Sequence, residues 1–267
     1  MLPAAIEGDQ VVTHMAYTTS YNPQHNQPSW VAYLLTREHA LGNLKRKDSF
    51  KADPMIQNSA TPDDYKNTGY DKGHLAPNAD MNWDPTVQKE CFYMSNMSPQ
   101  LHSLNGFVWS QMEEQVRQWA IAYDSIYVVT GPVLNESTVK ECRAIVRQYP
   151  DGNGDTQWVC TTLIDTREPF KILVDNKTKK EKKRRVSVPD YFYKIAYCPS
   201  RGEAIAFLVP HNAPQKALMQ SYVVSINTVE LVTGIDFFPE LDDDVEEEVE
   251  SRCCLECWEW KNLKIEK

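Results

Sequence analysis

Seven runs of alternating or β-branched residues bracket one long stretch of helical periodicity, and that order constrains the fold more than any other feature. Val11 to Tyr21, Trp30 to Thr36, Ser125 to Thr130, Trp158 to Ile164, Phe170 to Val174, Tyr191 to Tyr197 and Ala204 to Val209 read as strands. Asn105 to Ala122 instead repeats Val108, Trp109, Met112, Val116, Trp119 and Ala120 at the spacing of one broad helical face. A shorter helix is expected near Thr228 to Thr233, where Asn227 and Glu230 suggest a capping box and Gly234 a left-handed stop. The expected class is α+β, with a mixed sheet at the centre. Strands fall on both sides of the long helix and no Gly/Ser-rich linker divides them, so residues 1–239 are expected to form one domain.

The remainder, 240–267, reads as an acidic, cysteine-containing tail. It holds 11 acidic residues against 4 basic, so most of the chain's net charge of −9 resides there. Its run Leu241 to Glu250 is expected to stay solvated, because like charges resist packing. The near-neutral body can still carry a positive cleft for a polyanion, since steering depends on local potential. No stretch approaches the roughly 20 apolar residues of a membrane helix, and no membrane partner is expected. The first residues have neither a basic n-region nor an apolar h-region. Export to the periplasm or cell exterior is the expected location, with the signal absent from this chain.

Seven cysteines, four of them dispersed, do not make the dense framework of a small secreted scaffold. Cys91 and Cys160 sit in apolar stretches and read as small buried hydrophobes. Cys142 and Cys198 are candidates for pairing in an oxidising compartment. Cys253, Cys254 and Cys257 could bind a soft metal or cross-link two chains, although a disordered or helical tail is the preferred reading.

The reactive polar residues concentrate between Asp71 and Glu113. Tyr70-Asp71-Lys72-Gly73-His74-Leu75-Ala76-Pro77-Asn78 opens the cluster, and Ser95-Asn96-Met97-Ser98-Pro99-Gln100-Leu101-His102-Ser103-Leu104-Asn105 continues it. Phosphodiester hydrolysis needs an activated water, neutralisation of the non-bridging oxygens and stabilisation of the leaving oxygen. A histidine, a basic residue and a hard cation meet those needs. Taken alone, Asn105 reads more readily as a helix N-cap and His74 as a structural histidine. If Asn105 opens a helix, Trp109 and Glu113 follow at i+4 and i+8 on roughly the same side.

Asp71-Lys72-Gly73-His74-Leu75-Ala76-Pro77, followed at these intervals by Asn96, Gln100, Asn105, Trp109 and Glu113, resembles the DNA/RNA non-specific endonucleases of the ββα-metal type. Further landmarks fall in the family's order: Trp30 to Thr36, Phe50 to Pro54, Asp64-Tyr65, Gly131-Pro132, Val188 to Lys194 and Thr233 to Pro239. The resemblance spans most of 11–239. It implies a mainly antiparallel sheet core carrying a ββα-metal motif, and hydrolysis of DNA and RNA to 5′-phosphate ends. It implies His74 as general base, Asn105 as direct ligand of one Mg²⁺ (with Mn²⁺ as a substitute), and Glu113 reaching the ion through water. Asn96 is implied as a positioning group, and Arg46 as the arginine that neutralises the scissile phosphate. Lys72 stands where the family carries arginine, which keeps the charge but loses the planar fork. A homodimer is a further implication.

Two other readings stay open at this stage. One is a catalytically degenerate homologue that binds nucleic acid, its acidic tail competing for the cleft; the other is a zinc-type relative with histidine-rich coordination, for which only His74 and His102 lie nearby. The basic run Lys177 to Arg185 reads as a solvated loop in preference to an arm on the nucleic-acid backbone. Asp151-Gly152-Asn153-Gly154-Asp155 reads as a hairpin turn, because Thr162 stands where a calcium loop needs glutamate.

Overall fold

The computed structural model describes residues 1–134, 147–150, 156–159 and 170–261. In chain order the elements begin with β1 (Gln10–Thr13), β2 (Thr18–Asn22), β3 (Gln27–Thr36), α1 (Arg37–Ala40) and α2 (Pro62–Tyr65). Next come β4 (Asp71–His74), α3 (Pro85–Glu90), β5 (Met97–Gln100), α4 (Ser110–Tyr123) and β6 (Ser125–Pro132). After β7 (Arg147–Pro150), β8 (Thr156–Val159), β9 (Lys171–Ile172) and β10 (Ser187–Val188) the chain enters β11 (Tyr191–Cys198) and β12 (Glu203–Pro210). It ends with β13 (Val223–Val224), α5 (Ile226–Thr233) and α6 (Asp243–Ser251).

The central sheet runs β1-β2-β3-β6-β11-β12-β13, and every neighbouring pair in it is antiparallel. Side chains alternate across such strands, so β11 feeds two cores. Phe192 and Ala196 join a cluster with Trp109, Met112, Val116 and Trp119 of the long helical stretch. Tyr193, Ile195 and Tyr197 face the other way, against Val229 and Val232 of α5, Phe237 and Phe238. A smaller cluster of Ala60, Tyr65, Met94, Met97, Leu173, Val186 and Val188 lies under β5 and the β9–β10 hairpin.

Several expectations change in detail. Val11 to Tyr21 is a hairpin rather than one strand, with Gln10 paired to Tyr21 and His14 N donating to Tyr17 O at 2.8 Å. Its turn lacks glycine, proline and asparagine, so the alternation reads straight through it. The second helix is capped by Ser225, whose hydroxyl accepts from Thr228 N at 3.2 Å, rather than by a box at Asn227. Glu230 turns to Phe237 N instead, at 3.0 Å. Residues 160–164 of the expected fourth strand, Cys142, Cys160 and the Asp151–Asp155 turn lie outside the described residues.

The tail also departs from expectation. Residues 243–251 form α6, and Val249 is 3% exposed within the α5-side core. A valine every fourth position, Val245 and Val249, gives the acidic run one apolar edge. Beyond it Trp258 packs on Trp119, with ring centroids 4.4 Å apart, and Glu259 O accepts from Trp119 Nε1 at 2.6 Å. Cys254 and Cys257 form a disulfide within this segment, not a bond between chains. Cys91 and Cys198 are buried free thiols, and Cys91 is fully enclosed, as its apolar setting suggests.

Candidate active site

The site is built on the two-stranded β4–β5 ribbon and the helical stretch that follows it. His74 ends β4 opposite Met97. A Cβ at Gly73 would collide with the Gln100 side chain on β5, which fills that space. Asn96 holds the exit of the strand: its Oδ1 accepts from Ala76 N, and its Nδ2 donates to Ala76 O and Cys91 O, each at 2.8 Å. The amide is fully buried, so Asn96 positions the backbone beside His74 and does not present its side chain to solvent.

The imidazole of His74 is enclosed by Phe50 and Phe92, with centroids 5.6 and 5.0 Å away. Its Nε2 is buried and has no hydrogen-bond partner. Burial first, then the charges of Arg46 and Lys72, push its pKa down to about 3. The ring is therefore neutral, which is the form able to accept a proton. The two basic residues reach it through the same aromatic rings. Arg46 Cζ lies 5.4 Å from the Phe92 centroid and Lys72 Nζ 4.6 Å from that of Phe50. Arg46 is also paired with Asp48, Nε to Oδ1 at 2.7 Å.

A depressed histidine pKa has a stability consequence. In the unfolded chain the group titrates near 6.5, so below that pH the unfolded state binds the extra proton and stability falls as pH falls toward the folded value. Replacing His74 by Gln removes this penalty. Between pH 7 and pH 5 the wild type is expected to lose about 2 kcal/mol relative to His74→Gln, from about 1.4 kcal/mol per unit. Urea unfolding of both proteins at the two pH values measures it. An equal loss in the two proteins would mean that His74 is not held neutral by the fold.

Asn105 lies in one turn of π-helix, Leu104–Trp109, that runs into α4. The sequence suggests an α-helix from Asn105; the wider turn changes the angular relation between Asn105, Trp109 and Glu113 from simple i+4 and i+8 spacing. Trp109 goes into the core and donates Nε1 to His74 O at 3.3 Å. Asn105 stays half-buried, and its Nδ2 donates to Asp71 Oδ2 at 2.9 Å. His102 Nδ1 lies 2.8 Å from the same oxygen. Asp71 thereby fixes the amide of Asn105 by its nitrogen, leaving Oδ1 without a hydrogen bond among the described residues.

Glu113, one turn before Arg117, likewise makes no hydrogen bond among the described residues. Burial raises its carboxyl to about 7, and Asp80 adds to the rise, whereas Lys194, Arg117 and Arg46 work against it. Lys194 is 1% exposed on β11, with Nζ 4.6 Å from the Trp109 centroid and 3.3 Å from Thr130 Oγ1. Burial lowers its pKa to about 8, while Glu113 and Asp80 oppose the shift. Arg117 spans Asp80 and Glu114, at 2.8 and 3.0 Å. An unengaged amide oxygen and an unengaged carboxylate, backed by cations, are hard oxygen donors of the kind Mg²⁺ accepts.

Asp71, Arg117 and Lys194 received no role from the sequence alone. A lysine in the apolar strand Tyr191 to Tyr197, and an arginine four residues after Glu113, were the signals that could have found two of them. The basic run 177–185 forms the β9–β10 loop. Lys182 pairs with Asp175 at 2.8 Å and Arg184 Nε donates to Ser59 O at 2.8 Å, while Lys177, Lys179, Lys180, Lys183 and Arg185 are exposed.

A β-ribbon bearing a histidine, followed by a helix bearing an amide and a carboxylate, defines the ββα-metal class of nuclease. The chain belongs to the DNA/RNA non-specific endonuclease family, whose model matches residues 4–244. Among curated relatives, mitochondrial nuclease EXOG of Xenopus laevis is 29% identical over 249 residues, covering 90% of this chain and 61% of that protein. Mitochondrial endonuclease G of Homo sapiens is 25% identical over 239 residues, covering 87% of this chain and 70% of that protein. Nuclease C1 of Cunninghamella echinulata var. echinulata is 28% identical over 241 residues, covering 85% and 82%. The chain thus spans less than two thirds of the EXOG protein. Among solved structures, the EndoG/EndoGI complex matches with a TM-score of 0.68 at 25% identity, covering 88% of this chain and 87% of that one. The family and its relatives are nucleases, hence phosphodiester hydrolases. No helix among the described residues is long and apolar enough to cross a membrane.

Proposed function

We propose that this chain is a magnesium-dependent, sugar-non-specific endonuclease that cuts DNA and RNA to 5′-phosphate ends. The observation that carries the reading is the neutral, buried His74 with an unpartnered Nε2, set between Arg46 and Lys72. His74 Nε2 takes the proton of the attacking water. The phosphodiester arrives as an anion and raises the basicity of the ring when it docks, offsetting the two neighbouring cations. Arg46 and Lys72 hold the phosphate; Lys72 does so as a point charge, without a bidentate fork. Asn105, through Oδ1, and Glu113, through water, are the residues that would hold the ion. When bound, Mg²⁺ supplies charge neutralisation at the non-bridging and leaving oxygens. Lys194 and Arg117 oppose the burial that raises Glu113 and so favour its ionised form, and Asn96 keeps the backbone after His74 in register.

Residues 1–239 are the proposed catalytic domain and 240–267 its acidic tail, of which the described residues 240–261 pack onto the domain. Because α6 packs on the α5 side of the sheet, the acidic segment is not a competitor for the β4–β5 cleft. Export to the periplasm or cell exterior is part of the same proposal.

Purified protein incubated with supercoiled plasmid, or with structured RNA, is expected to degrade both in Mg²⁺ and neither in excess EDTA. Binding of both without cleavage under every condition would instead identify a degenerate homologue.

A further inference from the structure

The β9–β10 loop turns two of its seven cations inward and five outward. Asp175 organises the inward half: its carboxylate accepts from Lys177 N at 2.9 Å, Thr178 N at 3.1 Å and Lys182 Nζ at 2.8 Å. Lys179, with φ +60°, tightens the turn by donating N to Asp175 O at 2.7 Å. Arg184 closes the base of the loop, donating N to Asp64 Oδ1 at 3.1 Å and Nε to Ser59 O at 2.8 Å. Leu173, Val186 and Val188 are buried in the small core beneath. Lys177, Lys179, Lys180, Lys183 and Arg185 are therefore exposed on a fastened hairpin. Glu181, the one acidic residue between 177 and 185, pairs with Arg185 at 3.4 Å.

Like charges held this close repel one another, and fixing the loop denies them the freedom to spread. The arrangement becomes favourable once a polyanion lies across it and its counterions are released. No apolar residue lies between 177 and 185, so the loop has nothing to insert into a lipid surface.

The hairpin is fastened to the strand that carries the site. Asn176 N donates to Asn67 O at 2.8 Å, and Asn67 Nδ2 reaches back to Asp175 Oδ2 at 3.4 Å. From Asn67 the chain runs to Asp71, at most about 14 Å away for four residues, and Asp71 holds Asn105. The foot of the hairpin meets the same ribbon: Lys171 and Val188 share a cleft with Tyr70 and Leu101, the sequence neighbours of Asp71 and His102. A span of about 14 Å is about four nucleotide steps of one strand at 3.4 Å each.

We propose that Lys177, Lys179, Lys180, Lys183 and Arg185 form an arm that grips the phosphate backbone of the nucleic acid a few nucleotides from the scissile bond. It replaces the merely solvated loop that the charge run by itself suggested. Four of the five are lysines, which meet phosphates as point charges and read no base pattern. The position of the scissile bond rests on the nuclease reading above; the grip on phosphate does not.

The test replaces all five residues by serine in the full chain, with melting curves to show that this exposed loop leaves the fold intact. Binding of a fluorescein-labelled duplex is measured by anisotropy in EDTA, across KCl concentrations. The slope of log K against log salt is expected to flatten by about 2.7–4.5, which is about 0.9 for each of three to five lost phosphate contacts. At about 0.1 M salt the affinity should fall about 10²-fold or more. In Mg²⁺, kcat/KM should fall for a strand of about thirty nucleotides and hold for one of about four, too short to occupy cleft and arm together. An unchanged salt slope overturns the arm, and so does an equal loss on both strands. Loss of binding to phosphatidylserine vesicles with the DNA slope intact would make the loop a membrane contact instead. Should the wild type cleave neither strand, the nuclease reading fails while the salt slope still decides the arm.

Discussion

His74→Ala is expected to slow cleavage of DNA and RNA alike by about 10²–10⁴-fold, the usual contribution of a general base. The expectation rests on what the ring does not touch. A structural histidine in a protein interior ordinarily spends both nitrogens on hydrogen bonds; here Nε2 is buried and unengaged, and Arg46 and Lys72 stand on its aromatic cradle. Such an arrangement gives no stabilising polar contact to lose. The variant should therefore melt cooperatively, with a loss attributable only to the space left between Phe50 and Phe92. Exogenous imidazole discriminates further, because it can enter that space and accept the proton, restoring part of the rate. Undiminished cleavage in His74→Ala would remove the assignment, and so would a loss of activity that merely tracks loss of fold.

The chemistry was legible in the sequence where it is compressed into adjacent residues. Asp71 to Pro77 fits in one short strand and its exit, so the motif that carries the family resemblance, and with it the proposal for His74, is a local unit. Most strands were legible as well, because alternation is a local property of each strand, whereas their antiparallel pairing was implied only by the family resemblance. What was hidden depends on contacts between distant segments. Lys194 belongs to the site only because β11 lies beside β6 and turns its even-numbered side chains toward Trp109. The β1–β2 turn was missed because nothing in Thr13 to Tyr17 departs from strand-forming composition. The acidic tail misled for a related reason: total charge argued for solvation, whereas Val249 and Trp258 each found a hydrophobic site on a different face of the sheet. The family resemblance supplied Asn105 and Glu113, but could not say what holds the asparagine amide by its nitrogen.

That orientation leads to the second large effect. Asp71 Oδ2 accepts from Asn105 Nδ2 at 2.9 Å and faces His102 Nδ1 at 2.8 Å. An amide can rotate to exchange its ends, and the carboxylate decides which end it keeps. Asp71→Asn retains the shape but can present either an acceptor or a donor to Asn105, so the Asn105 amide loses its enforced direction. The Mg²⁺ concentration for half-maximal cleavage is expected to rise about 10–100-fold, the usual cost of losing a partner that orients a metal ligand. The rate at saturating Mg²⁺ should change little, since His74, Arg46 and Lys72 are untouched. Asn105→Ala should behave differently, losing activity that added Mg²⁺ does not restore. A magnesium titration of cleavage by the three proteins, with melting curves to confirm folding, separates these outcomes. Were Asp71→Asn to keep the wild-type magnesium dependence, the Asp71 charge would not be what orients the Asn105 amide; were Asn105→Ala to keep it, Asn105 could not be the direct ligand.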